Sequence, residues 1–424
     1  MAKKTVPYIV LLVWGIVVWA FFQFFYEYSF YYKEQNQLFL LSWEYIRSYF
    51  SRSAWAAELA GDFITQWFYY MYVGAAVFTI LSLFTGELVR HALLRLHFSW
   101  SVSLVVALLV MGLMVVFNFS PDYRMAGVIG IMGTASLFLL WTAFTYTRPW
   151  IKVVAAVICS LLSYWLFGFG IGGGCKLSTP HFELEDYLAA DNLYYFGRYE
   201  ELFKRVEEMD KHDVTPVISC YYYMAKAQQG VLAQAMGKVT PVCLGTLFHI
   251  GPQSTMQEIK VMNELYFLLG DMTMTERAAM LGCVSSPRNR NVRMVKRLAE
   301  TNLVTDDKEA AMKYLRLLEK TLVYRRWAVT NHPDRISSSL QSKRMFINKT
   351  DRLRLSDNCR DVLVGLLESN PHNLTALHYL MCTDILVGQR QVFLDDFRKY
   401  YMPVHGEPHE PLYKRMLDED EKKY

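Results

Sequence analysis

The sequence has few of the patterns that usually mark an enzyme. Its seven cysteines are scattered, and none forms the Cys-x-x-Cys pair typical of zinc ribbons or thioredoxin-like proteins. The histidines show no HExxH or paired-ligand spacing, so we expect no metal and no other cofactor. The net charge of +4 is small for 424 residues, and no tract rich in lysine and arginine occurs. A nucleic-acid partner is therefore not expected.

Charge is also missing from the middle turns of five long apolar blocks in the first 172 residues, and Lys152 stands only at the start of the fifth. Each is about 20 residues long, the length that a helix needs to cross a hydrocarbon core of about 30 Å. The middle turns of the blocks lack ionisable side chains, which argues against a proton pump or a charge-lined ion path. We expect membrane-spanning helices at Val6–Tyr26, Phe63–Phe84, Ser99–Phe117, Met125–Tyr146 and Trp150–Phe169.

Positive charge in the short loops predicts the orientation of these spans. One side of the membrane would carry Lys3, Lys4, Arg90, Arg95, Arg148 and Lys152. This places the N-terminus in the cytoplasm and, after five crossings, the rest of the chain outside, in the bacterial periplasm. The protein would then be a multi-pass protein of the inner membrane. An even number of spans would reverse the order, and the scattered cysteines also fit a cytoplasmic domain.

The loop between the first two blocks, residues 27–62, combines acids with many aromatic residues. Apolar residues at helical spacing predict two short amphipathic helices that lie on the membrane surface. Acids held there could bind a sugar or a polar lipid headgroup, and one could act as a general base. Residues 1–90 resemble membrane glycosyltransferases that use polyprenyl-linked sugars, which place an acid in a first external loop. The resemblance implies Glu27, Glu34 and Asp62 as catalytic candidates; alternatively, these acids only solvate the loop.

The remainder of the chain has a helical pattern. We expect a glycine-rich linker at 173–182, a helical domain at 183–402 and a charged C-terminal tail at 403–424. Two helical segments flank a glycine at three places, and we expect each glycine to end the helix before it. These glycines are Gly197, Gly270 and Gly388.

Two segments carry a resemblance to a repeat family. Asn192–Tyr199, and Asn370–Leu377 with Gly388 closing the helix, resemble degenerate tetratricopeptide repeats. The resemblance implies an α-solenoid whose concave surface binds a peptide or another protein. The whole layout resembles uncharacterised bacterial inner-membrane proteins that carry several N-terminal spans and a helical-repeat tail.

We therefore expect an all-α protein with two parts, a bundle of five transmembrane helices and a soluble α-solenoid. The predicted function is that of a scaffold, not an enzyme, whose external domain binds a protein in envelope assembly, secretion or polysaccharide handling. An enzyme or transporter of lipid-linked sugars is the alternative. The sequence does not determine the oligomeric state. The candidate contacts with an acidic partner are Arg288, Arg290, Arg293 and Arg297, with Arg352 and Arg354 as a second group.

Overall fold

A computed structural model of the protein describes residues 2–168, 177–236, 250–349 and 358–421. Over these ranges the regular secondary structure is helical, and an isolated β-bridge joins His332 and Arg335. The prediction of an all-helical protein is confirmed. The start of the predicted glycine-rich linker, residues 173–176, and the second arginine group, Arg352 and Arg354, lie outside the described residues.

The chain divides into two compact units. The first consists of residues Met1–Glu185 and Lys320–Tyr324, and the second of Asp186–Glu319 and Arg325–Tyr424. A short segment distant in sequence therefore completes the first unit.

The described residues of the first unit form eight α-helices and the start of a ninth. Among them, five are long and apolar enough to cross a membrane: Thr5–Phe25, Val73–Arg95, Trp100–Asn118, Met125–Thr142 and Pro149–Phe167. We call these five the candidate spans. The helices are α1 (Ala2–Phe25), α2 (Tyr28–Gln35), α3 (Trp43–Arg47), α4 (Trp55–Thr65), α5 (Val73–Arg95), α6 (Trp100–Asn118), α7 (Met125–Thr142), α8 (Pro149–Leu162, continued by a π-turn to Phe167) and α9 (Phe182–Tyr195).

The second candidate span differs from the prediction. Residues 63–72 were expected to begin it, but they form the end of α4 and a 3₁₀ turn at Gln66–Tyr69. The backbone then turns at Tyr72, whose φ of 68° is left-handed, and α5 runs from Val73 to Arg95. An aromatic run that packs on other helices has the same apolar character as the start of a span. The predicted start of this span, Phe63, therefore lies ten residues before the observed start at Val73.

The candidate spans alternate in direction. At one end of the bundle, the last turn of α1 meets the first turns of α5, with the Phe22 and Phe78 rings 5.0 Å apart. The hydroxyl of Tyr26 donates to the carbonyl of Phe119, directly after α6. At the opposite end, the guanidinium of Arg90 lies 5.0 Å from the ring centre of Tyr8. We call this second end the arginine end, because it carries Arg90, Arg95 and Arg148 around the chain turns.

The second unit consists of short helices joined by turns. Helices that follow each other in the chain pack side by side, most extensively α13 on α14 and α15 on α16. Its helices after α9 are α10 (Tyr199–Glu208), α11 (Pro216–Gln228), α12 (Leu232–Ala235), α13 (Met256–Leu269), α14 (Met272–Ser285), α15 (Val292–Thr305), α16 (Lys308–Leu318), α17 (Arg325–Thr330), α18 (Ser338–Lys343), α19 (Cys359–Ser369), α20 (Leu374–Val387), α21 (Arg390–Asp396), α22 (Met402–His405) and α23 (Pro411–Glu421).

Glycines end three of these helices, as predicted. Gly197, Gly270 and Gly388 have φ values of 71°, 81° and 73°, in the left-handed region that glycine adopts without steric cost. Gly270 could not be replaced easily for a second reason, since a Cβ atom there would lie 2.3 Å from the carbonyl oxygen of Phe346.

Candidate functional site

The loop predicted to hold catalytic acids forms a compact layer over one end of the bundle. We call residues 26–72 the loop layer. Its helix α4 packs on the start of α7 so closely that a Cβ atom on Gly61 would lie 2.3 Å from the backbone nitrogen of Ala126. Phe30 of α2 packs on Gly74 at the start of α5. These close approaches fix the loop layer to the helix ends beneath it.

Asp62 lies in a network of charged and phenolic groups within the loop layer. One carboxylate oxygen accepts from Nη2 of Arg124 at 2.6 Å, and the other accepts from the hydroxyl of Tyr49 at 2.8 Å. Glu58, one turn earlier on α4, accepts from Nη1 of Arg124 at 3.1 Å. Nη1 of Arg52 lies 3.7 Å from the other oxygen of Glu58. Two carboxylates are thus paired with two guanidinium groups.

Burial and charge together shift the pKa values of Arg124 and Tyr49 in this network. Burial acts to lower the pKa of Arg124, but the carboxylates of Asp62 and Glu58 outweigh it and raise that pKa above its usual value. Burial, followed by the charge of Asp62, raises the pKa of Tyr49, so its hydroxyl stays protonated and donates. The network holds α4 against the segment before α7, and both of its carboxyl groups have partners.

The other two candidate acids bind different residues. Glu34 is buried, and its Oε2 accepts from the hydroxyl of Tyr324 at 3.1 Å, in the segment that completes the first unit. Glu27 is half-buried and accepts a hydrogen bond from the side-chain amide of Gln23, one turn back. Described hydrogen bonds therefore assign Glu27, Glu34 and Asp62 to three different sets of partners.

Sequence patterns did not reveal a buried lysine next to these acids. Nζ of Lys33 on α2 donates to Oδ1 of Asn118 at 2.6 Å and lies 3.3 Å from the same residue's carbonyl oxygen. Burial lowers the pKa of Lys33 to about 7, although Glu185 and Asp122 act to raise it. A lysine in a polar loop is normally solvated, so its position alone gave no signal.

The four predicted arginines do not form one exposed face. Arg293 and Arg297 are 1% and 6% exposed, whereas Arg288 is exposed and Arg290 half-buried. Successive residues of the α15 helix point in different directions, and positions 293 and 297 turn toward the interior of the second unit. This corrects the expectation of an exposed face for these two residues, which lie inside the unit.

Arg293 and Arg297 belong to a buried ion network. Arg293 binds both oxygens of Asp191 and, at 3.0 Å, Glu264 on α13. Arg297 donates to Glu264 and pairs with Glu300 at 3.0 Å. Burial alone would raise the pKa of Asp191, yet the charges of Arg293 and Lys260 hold it below its usual range. Such a network organises helices α9, α13 and α15 around one charged centre.

A turn with strained backbone precedes this network. Arg288 and Asn289 have φ values of 60° and 54°, a conformation that costs a residue with a Cβ atom about 1–2 kcal/mol. The turn is held because Nδ2 of Asn291 donates to Oγ of Ser286 at 2.9 Å. It presents Arg288 directly after the last turn of α14.

A second polar cluster in this unit was also not predicted. The imidazole of His378 on α20 lies 3.1 Å from the hydroxyl of Tyr413 and 3.9 Å from the carboxylate of Glu410. Both His378 and Glu410 line a cavity of about 100 Å³. Burial, partly opposed by Glu410, lowers the pKa of His378 and keeps it neutral near pH 7. The described part of the chain contains no group of three or more His, Cys, Asp or Glu residues arranged to hold a metal ion.

These features define an all-helical protein with five helices of membrane-spanning length and composition and a separate helical unit. Comparison with models of protein families identifies its family. The chain belongs to a family of unknown function (DUF6057), whose model matches residues 1–172 and 172–414. No curated protein and no solved structure shows a significant match to it.

Proposed function

We propose that the protein is an integral membrane scaffold whose second unit binds a protein partner. Support for the membrane comes from the surface of the candidate spans. Leu12 in α1 and Leu109 in α6 are 61% and 67% exposed, and many apolar neighbours are exposed with them. Large continuous apolar surfaces are rare on soluble proteins and normal on lipid-facing helices.

The arginine end supports the orientation. Arg90, Arg95 and Arg148 are grouped there, and the excess of positive charge in membrane proteins lies on the cytoplasmic side. The N-terminus is then cytoplasmic, the loop layer lies on the outer side, and the second unit is periplasmic in a bacterium. A scaffold in this position would act in envelope assembly, secretion or polysaccharide handling.

The second unit has the organisation of an α-solenoid in this proposal. Its consecutive helices pack as neighbours, and left-handed glycines separate the members of several pairs, as in tetratricopeptide-like repeats. The inner faces of α13 and α15 are occupied by the Asp191–Arg293 ion network, so a partner must bind elsewhere.

The outer face of α14 is the best candidate for the partner surface, and this observation carries the proposal. Met280 and Val284 are 46% and 66% exposed, one helical turn apart. The exposed Arg277 precedes them on the same face, and Arg288 follows them in the strained turn. We call these four residues the α14 surface. Strained backbone is concentrated at functional sites, where the surrounding structure maintains it.

The chemistry of the α14 surface identifies the kind of partner. Two apolar side chains between two arginines fit a protein segment that presents apolar side chains flanked by Asp or Glu. The apolar contact would supply most of the affinity, and the charges would select the partner and raise the association rate.

Site-specific photo-crosslinking in living cells tests this proposal. A photoreactive amino acid at position 284 should crosslink one defined protein, identified by mass spectrometry. The matched control is position 387, where Val387 is 62% exposed on α20. Binding of the purified partner should weaken roughly tenfold in the variants Arg277→Glu and Met280→Asp. Equal crosslinking from both positions, or unchanged binding by these variants, would refute the proposal.

An enzyme of lipid-linked sugars stays the alternative, favoured by the acids of the loop layer beside aromatic residues. The variants Glu27→Gln, Glu34→Gln and Asp62→Asn separate the two functions. A scaffold should keep its partner and its cellular role in the variants that still fold. An enzyme should lose its function in at least one of them while the α14 surface still binds.

A further inference from the structure

The segment that contains α3 has two faces with different surroundings. On the inner face, Tyr49 is fully buried and donates to Asp62, and the hydroxyl of Tyr45 donates to the carbonyl of Leu38 at 2.6 Å. On the other face, Trp43 is 69% exposed, Phe50 is 44% exposed, and Arg47 between them is exposed. Positions 43 and 47 are one turn apart on α3, and Phe50 lies in the hydrogen-bonded turns that directly follow the helix. We call these three residues the α3 surface.

Ring contacts connect the α3 surface to the end of the fifth candidate span. The Phe50 ring lies 4.8 Å from that of Trp55, and the Trp55 ring lies 5.9 Å from that of Trp165. Trp165 belongs to the span Pro149–Phe167 and is itself 55% exposed. A Cβ atom on Gly168 would lie 3.1 Å from that of Ala54, which fixes the same two segments together.

We propose that the α3 surface is a lipid-binding surface that lies in the phospholipid headgroup layer of the bilayer containing the spans. Trp43 and Phe50 contact the boundary between headgroups and acyl chains, and Arg47 binds a lipid phosphate. Tryptophan residues at the ends of spans lie at the membrane–water interface. An arginine between aromatic residues can bind a lipid phosphate while the aromatic rings contact the acyl chains below it. The ring contacts from Phe50 through Trp55 to Trp165, at the end of the fifth candidate span, place the α3 surface at the headgroup layer in this proposal.

This inference replaces the expectation of two surface helices. Helix α4 packs on α7 and on the π-turn that ends at Phe167 after α8, and residues 29–35 of α2 are buried. Neither helix therefore presents a long apolar face to lipid. The segment around α3 combines exposed aromatic side chains on one side with inward hydrogen bonds on the other. The inference requires that the candidate spans lie in a membrane, but it does not depend on a protein partner.

Fluorescence quenching in lipid nanodiscs tests the proposal. A fluorescent amino acid is introduced at position 43 or 50 of the full chain in phosphatidylcholine nanodiscs, with Glu44 and Ser53, both exposed, as water-facing controls. A nitroxide on the lipid should quench positions 43 and 50 several-fold more than 44 and 53, and aqueous iodide should show the reverse order. Position 109, in the exposed middle of α6, reports separately whether the spans are in the bilayer.

Two results would overturn the proposal. One is iodide quenching of positions 43 and 50 equal to that of 44, which would place the α3 surface in water. The other is protection from both quenchers, which would mean that a protein covers it. Arg47→Glu should reduce lipid quenching at position 43, and Arg47→Lys should preserve it. Photolabelling of the unsubstituted protein by a lipid with a headgroup diazirine gives an independent result, because the peptide of residues 43–50 should be labelled.

Discussion

The guanidinium of Arg293 binds both carboxylate oxygens of Asp191, at 2.8 Å each, and both side chains are buried in the second unit. The two residues are 102 positions apart in the chain. Their pairing joins α15 to α9, and the hydroxyl of Tyr221 on α11 donates to the same carboxylate at 2.7 Å. One ion pair thus connects three helices.

We expect Arg293→Met to destabilise the second unit by about 3–5 kcal/mol, because it leaves buried carboxylates without their main partner. Urea-dependent proteolysis of the detergent-solubilised protein measures this loss. The double variant Arg293→Met with Asp191→Leu should lose less than the sum of the two single variants. Additive losses would show that the two groups are not coupled.

The same pair predicts sensitivity to acid. Arg293 and Lys260 hold the pKa of Asp191 below its usual value, so the folded state binds this proton less readily than the unfolded state. The stabilisation is complete above about pH 4, the usual pKa of aspartate, and is lost as the pH falls further. Asp191→Asn should flatten the loss of stability in acid. A pH dependence unchanged in this variant would contradict the prediction.

Asp384 on α20 should have the opposite effect on the pH dependence of stability. Burial and the neighbouring Asp396 raise its pKa to about 7, while Arg360, whose Nε lies 3.8 Å away, acts to lower it. A raised carboxyl pKa means that stability is lost as the pH rises from about 4 through 7. Asp384→Asn should therefore be more stable than the natural chain at about pH 8 and similar at about pH 4. Thermal unfolding curves across this range measure the difference.

The packing of the loop layer on α7 depends on the absence of a side chain at Gly61. In Gly61→Ala the new Cβ atom would lie 2.3 Å from the backbone nitrogen of Ala126, which cannot move without shifting α7. We expect a marked fall in the thermal unfolding temperature in detergent. Gly365→Ala on α19 is the matched control, since no atom lies within 4 Å of its Cβ position. That variant should be neutral or more stable by up to about 1 kcal/mol.

The strained turn gives a prediction that separates stability from binding. Arg288→Gly relieves the left-handed backbone and should stabilise the second unit by about 1 kcal/mol. Arg288→Ala keeps the strain and should not stabilise it. Both variants remove the guanidinium, so both should bind the partner of the α14 surface more weakly. A glycine variant that gained stability and kept full binding would show that Arg288 takes no part in recognition.

Much of the helical content could be predicted from the sequence. Long uncharged blocks give the candidate spans, since few other structures need about 20 apolar residues. Gly270 and Gly388 mark helix ends because their φ values exclude most other residues. The start of α5 was misplaced because the aromatic residues around Trp67 pack on helices yet have the same apolar character as a span.

Features that depend on contacts distant in the chain could not be predicted. Arg293 has the polarity of a solvated residue, and only its pairing with Asp191 permits burial. Gly61 showed no pattern of its own, because its importance lies in the approach of α7. The acids of the loop layer were found as candidates, but their partners lie far away in the chain. Arg124 is 62 positions from Asp62, and Tyr324 is 290 positions from Glu34.

The most direct test of the proposed membrane scaffold is the side of the membrane on which the α14 surface lies. Cysteine is introduced as Val284→Cys or, at the arginine end, as Tyr146→Cys; both positions are exposed, by 66% and 69%. Every native cysteine other than the buried Cys220, Cys359 and Cys382 is first replaced by serine. A membrane-impermeant thiol reagent should label position 284 in intact cells with a permeable outer membrane, and position 146 only after lysis. Labelling of both positions on the same side, or in the reverse order, would contradict the proposed orientation and the periplasmic partner.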